Sequence, residues 1–207
     1  MFTHFHIEMT RLALEDKFSS RALEKIITAN VYQDRVRGQI GHDEYHFDNN
    51  AFEKSYAYLE AQRALTISAL MANDVFSAWS AFGRLTHTAQ DFYAHSNYVH
   101  LWLARQPERA RPTPAEVDPV DPDVIHADAL RSGQIYLLEP LAFIPGLRRL
   151  VLPLLPRDAH GWMNLDSPAR GPNFQYAFQA ALKRTKIEFE QTTKDLSDEL
   201  RQLFSDK

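Results

Sequence analysis

The sequence predicts an all-α fold, and three observations carry the expectation. Apolar residues recur at helical spacing over long windows. The window 51–72 is rich in Ala, Leu, Glu and Gln, which are strong helix formers. Alternation of the kind a half-buried strand needs never persists. The length of 207 residues fits one unit over 1–207. A chain of that size buries about 70% of its unfolded surface and needs no covalent staples.

The elements follow in order. Residues 7–29 place Ile7, Leu12, Leu14, Phe18, Leu23, Ile26 and Ile27 at helical spacing. Residues 30–50 gather turn signals, namely Asn30, Gly38, Gly41 and Asp48-Asn49-Asn50. A strong helix is expected over 51–72, with Asn73 and Asp74 stopping it and capping the next. That next helix is expected to run from Val75 to Leu103. Five prolines, at 107, 112, 114, 119 and 122, make 106–123 an extended loop. A short helix follows over 123–131, ended by Gly133. The apolar insertion at 135–155 is broken by Glu139, Pro140, Pro145, Gly146, Arg148, Arg149 and Pro153, so short turns are expected there. A last helix over 173–204 carries Tyr176, Ala177, Ala180, Ala181, Ile187, Phe189, Leu196, Leu200 and Leu203 on its apolar side. The total is about five to seven helices.

Composition narrows the function. Hydrophobic residues are 44% and charged residues 24%, an ordinary globular balance. A net charge of −4 supplies no general basic field for duplex DNA or an anionic membrane. The absence of Cys excludes disulfides, thiol nucleophiles and thiolate metal sites. Any metal must then be held by His, Asp and Glu, and His is abundant at nine residues. The opening Met1-Phe2-Thr3-His4-Phe5-His6 has no basic region followed by an apolar one, and no window is long and clean enough to span a bilayer. The expected location is cytoplasmic, or secreted if the N-terminus is a processed form.

The chemistry falls on the segment Gly83–His100. His87, Asp91 and His95 stand at i, i+4 and i+8. On a helix they drift about 80° and climb about 12 Å, which makes a row on one face. Neighbours four apart can share one ion, and the middle carboxylate reaches an ion on either side. One row can therefore bridge two or three metals. The bland alternative is a polar helix face with two ordinary histidines. Gly41–Asp48 adds a dense cluster of His and acid in a loop, including His46 and Asp48. Asp34 lies twelve residues before His46. His4 and His6 lie beside the amino terminus, and Asp158–Asp166 contributes His160 and Asp166. His100 and His126 have no evident partners and are read as structural.

The run His87-Thr88-Ala89-Gln90-Asp91-Phe92-Tyr93-Ala94-His95-Ser96-Asn97 resembles a segment of HET-C-like proteins, which are similar in turn to zinc-dependent phospholipases C and single-strand nucleases. His6-Ile7-Glu8-Met9-Thr10, Asn30–Asp34 with His46-Phe47-Asp48-Asn49, and His160-Gly161 with Asn164–Pro168 resemble further pieces in the same order. The resemblance implies a phospholipase C/nuclease-like helical fold with a site for one to three Zn2+ ions between helices. Asp34, His46, His87 and Asp91 would hold one ion, and Asp91 would bridge to a second held by His6. His95 and His160 would hold a third. His4, Asp48 and Asp166 are supplementary ligands. Asn164 and Phe174 depart from the family, standing where it has Glu and His. The implied activity is phosphodiester hydrolysis by metal-activated water, most like phospholipase C, with Asp34 and Asp91 as catalytic carboxylates. The alternatives are a HET-C-like recognition or toxin-type module with a structural metal, a single-strand nuclease, or a helical domain with no metal.

The insertion 135–155 has two readings. One is packing under loops. The other is a lipid-facing lip with Trp102 or Trp162 and the pair Arg148-Arg149, a peripheral membrane contact that favours a phospholipid substrate over nucleic acid. Tyr32, Tyr45, Phe47, Phe92, Tyr93 and Tyr98 offer stacking faces for bases or, more simply, core.

Overall fold

The computed structural model of the protein describes residues 1–207 except 40, 108–110, 140, 142–143 and 145. Pro140 and Pro145, two of the breakers above, lie outside the described residues. Helix α1 spans Thr3–Leu14, α2 Ser20–Tyr32, α3 Val36–Gln39 and α4 Asp43–His46. Then come α5 Phe52–Met71, α6 Val75–His95, α7 Tyr98–Ala104 and α8 Pro122–Ile125. The chain ends with α9 Arg148–Val151, α10 His160–Met163, α11 Phe174–Thr193 and α12 Asp198–Ser205. The described residues contain no strand, only the isolated bridges Ser96–Ser132 and Gln134–Ala159. The fold is therefore all-helical, as the periodicity predicts.

The helices number more than expected because three long windows are cut. The window 7–29 breaks before Ser19, whose hydroxyl caps α2 by accepting from Ala22 N at 3.2 Å. The final window breaks before Ser197, which caps α12 in the same way. The window 75–103 breaks at Ser96 for a tertiary reason. The carbonyl of Ala94 accepts from Leu165 N at 2.7 Å, and that of His95 from Gly133 N at 3.0 Å. Ser96 turns to an extended conformation there, and the helical ladder stops. The helix expected over 123–131 is limited to Pro122–Ile125, capped by Asp121.

Helix α6 is the axis of the molecule. Every residue from Leu85 to Ser96 is buried. A helix covered all round must have neighbours on every side, and α2, α5 and α11 supply them, with α1 closing over α2 and α11. Gly83 sets the α2 approach, since a Cβ there would stand 2.3 Å from the Ile26 carbonyl oxygen. This closeness brings Asn30 to Thr86, Asn30 Nδ2 donating to Thr86 Oγ1 at 3.1 Å. At the far end, Phe18, Phe82, Phe189 and Phe204 pack as an aromatic cluster beneath α12. Burying each such ring stabilises the fold by about 1.5–3 kcal/mol.

The proline-rich loop lies against the body instead of standing free. Tyr93 and Tyr98 hydroxyls donate to the Pro119 and Asp118 carbonyls at 2.6 and 2.7 Å. The insertion divides in two. Leu152, Leu155 and Ala159 form a small cluster of their own with Tyr136, Val151 and Trp162. Among the described residues of 135–154, much of the remaining apolar surface is exposed. No helix among the described residues is long and apolar enough to cross a membrane.

Candidate metal centre

The i, i+4, i+8 row forms as its spacing dictates. His87 Nε2 lies 3.1 Å from Asp91 Oδ2, and His95 Nε2 lies 3.8 Å from Asp91 Oδ1. Around this row the chain gathers two groups of ligand-type atoms. His6, Asp34, His87 and Asp91 make the first, with their ligand atoms within 4.8 Å of one another. His46 stands beside it, its Nδ1 2.8 Å from Asp91 Oδ2. Asp48, His95 and His160 make the second, and Asp166 Oδ1 is 3.3 Å from His95 Nε2. The Met1 amino group sits between the two, 2.6 Å from Asp91 Oδ1 and 3.3 Å from Asp166 Oδ1.

Backbone strain divides the loop ligands between the groups. Phe47 is fully buried yet adopts left-handed φ 59° and ψ 23°. That conformation costs about 1–2 kcal/mol for a residue with a side chain. It is held because the ring is packed on Phe52, Tyr56 and Phe92. The turn at Phe47 sends His46 toward the first group and Asp48 toward the second. Gly133 supports the second group, since a Cβ there would stand 2.5 Å from the Cα of His160. Its expected role as a helix terminator is corrected, because it serves a close crossing of two segments.

The imidazoles are oriented from behind. His6 Nδ1 donates to Gln90 Oε1 at 2.7 Å, and His87 Nδ1 to Asn30 Oδ1 at 3.4 Å. His46 Nε2 donates to the Gly38 carbonyl at 3.2 Å. Each partner is an oxygen that can only accept, so the outer nitrogen carries the proton and the inner one presents a lone pair. His6 Nε2 and Asp166 Oδ1 are buried and make no hydrogen bond. Asn30 and Gln90 are themselves fixed, Asn30 Nδ2 donating to Gln90 Oε1 and Gln90 Nε2 to Thr10 and Thr185 hydroxyls.

The titratable groups of the cluster shift one another strongly. Burial pushes His87 down to about 4 against the pull of Asp91, so it is neutral at pH 7. Burial also opposes ionisation of Asp91, Asp48 and Asp166, yet the amino group and the histidines around them hold all three below the usual carboxylate range. His95 is disfavoured as a cation by burial, but Asp91, Asp48 and Asp166 raise it well above its ordinary value. The Met1 ammonium, likewise disfavoured by burial, is raised to about 11 by Asp91, Asp166 and Asp34. Four carboxylates thus converge on one ammonium and one imidazolium. Buried negative charge in excess is costly, and a divalent cation offsets it while leaving imidazoles neutral.

The separations fit such a cation. Two ligand atoms about 2.1 Å from one ion at a tetrahedral angle lie about 3.4 Å apart. The observed spacings in the first group run from 3.1 Å for His87–Asp91 through 3.2 Å for His6–Asp91 to 3.6 Å for His87–Asp34. In the second, His95 Nδ1 donates to the His46 carbonyl at 3.0 Å, its Nε2 is 3.3 Å from Asp166 Oδ1, and His160 Nε2 is 3.9 Å from Asp48 Oδ1. A cavity of about 490 Å³ bordered by Thr3, Asp34, His95, His160 and Asp166 opens both groups to solvent.

Most site residues named from the sequence thus converge, with regrouping. His6 joins Asp34, His87 and Asp91, and Asp48 joins His95 and His160. His4 does not join them. It is exposed, its ring against Phe5 at 3.9 Å. His42 and Glu44 pair with each other at 3.1 Å, away from the centre. The sequence reading missed Asn30, Gln90 and Glu139. Glu139 is buried, accepts from Gly161 N, and lies 3.5 Å from His160 Nδ1. Asn30 did leave a signal, because it continues the apolar series Leu23, Ile26, Ile27 by helical spacing and so faces inward.

Fold and centre together define an all-helical domain with a buried cluster of metal-type side chains. The model of the VWA7 N-terminal domain matches residues 6–110, and the chain belongs to that family. Over 94 residues it is 35% identical to von Willebrand factor A domain-containing protein 7 of Rattus norvegicus. That alignment covers 44% of this chain and 10% of the relative, so the chain spans about a tenth of the relative's length. No solved structure matches.

These matches correct the family resemblance drawn from the motifs. The Gln90–Asn97 run that carried it lies inside the matched 6–110, so it belongs to a VWA7-like pattern and not to HET-C-like proteins or the phospholipase C and nuclease superfamily. The hydrolase, phosphodiesterase, phospholipase C-like and single-strand nuclease readings fall with it, as does the HET-C-like recognition or toxin-type module. Neither match names a zinc enzyme. The physical reason for the error is that a His-x3-Asp-x3-His row reports how ligands are spaced on a helix. It says nothing of the reaction or the lineage.

Proposed function

We propose that this domain binds divalent metal ions between its helices, with Zn2+ as the cation. His6, Asp34, His87 and Asp91, joined by His46, would hold one ion. Asp48, His95, His160 and Asp166 would hold another. The observation that carries the reading is the orientation of His6, His46 and His87. Each commits one nitrogen to a protein oxygen and turns the other toward Asp91. When bound, the ions supply fixed positive charge and polarise whatever ligand enters the adjoining cavity. The ligands come from α1, α4, α6, α10 and the segments after α2, α4 and α10, so binding fastens these elements together.

Elemental analysis of the chain purified without a His tag tests this directly. Up to two ions per chain are expected, with loss on dialysis against chelator and recovery with Zn2+. Ion present at 100–1,000 times its dissociation constant stabilises the fold by about 2.7–4.1 kcal/mol, so the melting temperature should fall on chelation. His87→Ala should remove the first ion. Substoichiometric metal in every preparation, together with a melt indifferent to Zn2+ and chelator, would overturn the reading.

A further inference from the structure

The insertion carries a surface that the metal centre does not use. Ile135, Leu137, Leu138, Leu141, Ile144, Leu147, Leu150 and Leu154 are all exposed. Leu137 is 95% exposed, Leu154 75% and Leu150 68%. Scattered exposed leucines need no explanation, but eight within twenty residues of chain form a concentration that a water-facing surface rarely keeps. The segment is not simply unpacked. Leu152, Leu155 and Ala159 are buried beneath it, with Tyr136, Val151 and Trp162 alongside, so the exposed residues are displayed from an ordered base.

The exposed charges carried by 135–157 itself are basic, while Asp158 beside Arg157 is an exposed acid and Asp34, Asp43 and Asp48 border the pocket that Ile135 lines. Between 135 and 157 the ionisable acids and bases other than tyrosine are Glu139, Arg148, Arg149 and Arg157. Glu139 is turned inward, accepting from the Gly161 and Tyr136 amides. Arg149 and Arg157 are exposed and Arg148 is half-buried. Arg157 lies over the Trp162 ring at 4.3 Å. The nearest following acid, Asp158, accepts from the Tyr136 hydroxyl at 3.0 Å. The chain as a whole has net charge −4, so a local arginine set among leucines stands against the general trend. Exposed leucine, arginine at the margin and Trp and Tyr at the base are the chemistry of a membrane–water boundary.

We propose that the described residues of 135–157 dock on a bilayer surface containing anionic phospholipid. The apolar side chains enter the boundary between headgroups and acyl chains, and the exposed Arg149 and Arg157 meet the lipid phosphates, while Arg148 donates to the Gly161 carbonyl at 3.0 Å. The proposal is independent of the metal reading, since neither the leucines nor the arginines are metal ligands.

Co-sedimentation of the full chain with vesicles tests it, comparing phosphatidylcholine alone with phosphatidylcholine containing 30% phosphatidylserine. Binding should be stronger to the anionic vesicles and should weaken on raising the salt. Each arginine near an anionic surface accounts for about fivefold in partitioning, so Arg149→Gln with Arg157→Gln should weaken binding to anionic vesicles about 25-fold. Leu137→Asp with Leu154→Asp should reduce binding to both vesicle types by more than tenfold. Both residues are exposed, and an unchanged melting temperature will show that the variant is folded. No sedimentation with either vesicle type would overturn the proposal. So would a dimer in analytical ultracentrifugation that the leucine substitutions dissociate, because the surface would then belong to a second copy.

Discussion

Replacing Gly133 by alanine places a methyl group where the backbone of another segment already lies. The new Cβ would stand 2.5 Å from His160 Cα, 2.9 Å from its Cβ and 3.0 Å from its N. Ordinary contact begins near 3.4 Å, so the two segments must part by roughly 1 Å. Two of the clashing atoms are backbone and the third is the Cβ fixed to it, so none can swing aside. Overpacking of this kind costs about 1–3 kcal/mol, and for a chain of this size that lowers the melting temperature by roughly 2–12 °C. The displacement falls on His160, already 3.9 Å from Asp48 Oδ1. It leaves Asp34, His46, His87 and Asp91 in place. G133A should therefore retain one ion per chain and lose affinity for the second by tenfold or more. Zn2+ titration calorimetry with elemental analysis reads this out. Two ions bound with native affinities, or loss of both, would refute the role given to this crossing.

Further outcomes follow from the same geometry. Asn30→Ala removes the oxygen that orients His87 and the amide that fixes Gln90. Zn2+ affinity at the first group should fall about 10–100-fold, measured by competition with a chromophoric chelator. Glu188 is buried between Arg63 at 2.5 Å and Arg184 at 2.6 Å and touches none of the candidate ligands. Glu188→Ala should cost about 3–5 kcal/mol in denaturant unfolding, because the Arg184 guanidinium loses its carboxylate while Arg63 keeps Glu60, with metal content unchanged. The chelated protein should lose stability as pH falls from 7 toward 4. Unfolded His87 takes up a proton near pH 6.5 that the folded chain refuses until about 4, a difference of at most about 3 kcal/mol. Below pH 4 the depressed carboxyls of Asp48 and Asp91 add to the loss. His95, raised in the fold, acts oppositely, and its contribution disappears as pH rises through its folded value. A melting temperature in chelator that stays flat from pH 7 to 4 would contradict this balance.

How much of this was legible depends on the range of the interaction concerned. Helix α5 and the start of α6 follow from local propensity and the Asp74 cap, whose side chain accepts from Ser77 N at 3.1 Å. The His87–Asp91–His95 row is also local, because helical geometry fixes it once the helix exists. The end of α6 was not legible. Nothing in Ser96-Asn97-Tyr98 forbids helix, and the break comes from the amides of Leu165 and Gly133 taking the Ala94 and His95 carbonyls. The family resemblance misleads for a related reason, since ligand spacing on a helix carries no mark of lineage.

Periodicity, composition and ligand spacing, each read over a few turns of chain, determined that this protein is helical, that any metal must rest on histidine and carboxylate, and that α6 bears the row. Only the tertiary structure decided which distant residues complete the row, that Asn30 and Gln90 orient imidazoles, and that the leucines of 135–154 face outward. Those outcomes depend on backbone approaches such as Gly83 against Ile26 and Gly133 against His160. Contacts between residues so far apart in sequence follow from the packing of whole elements, to which no short stretch of chain has access.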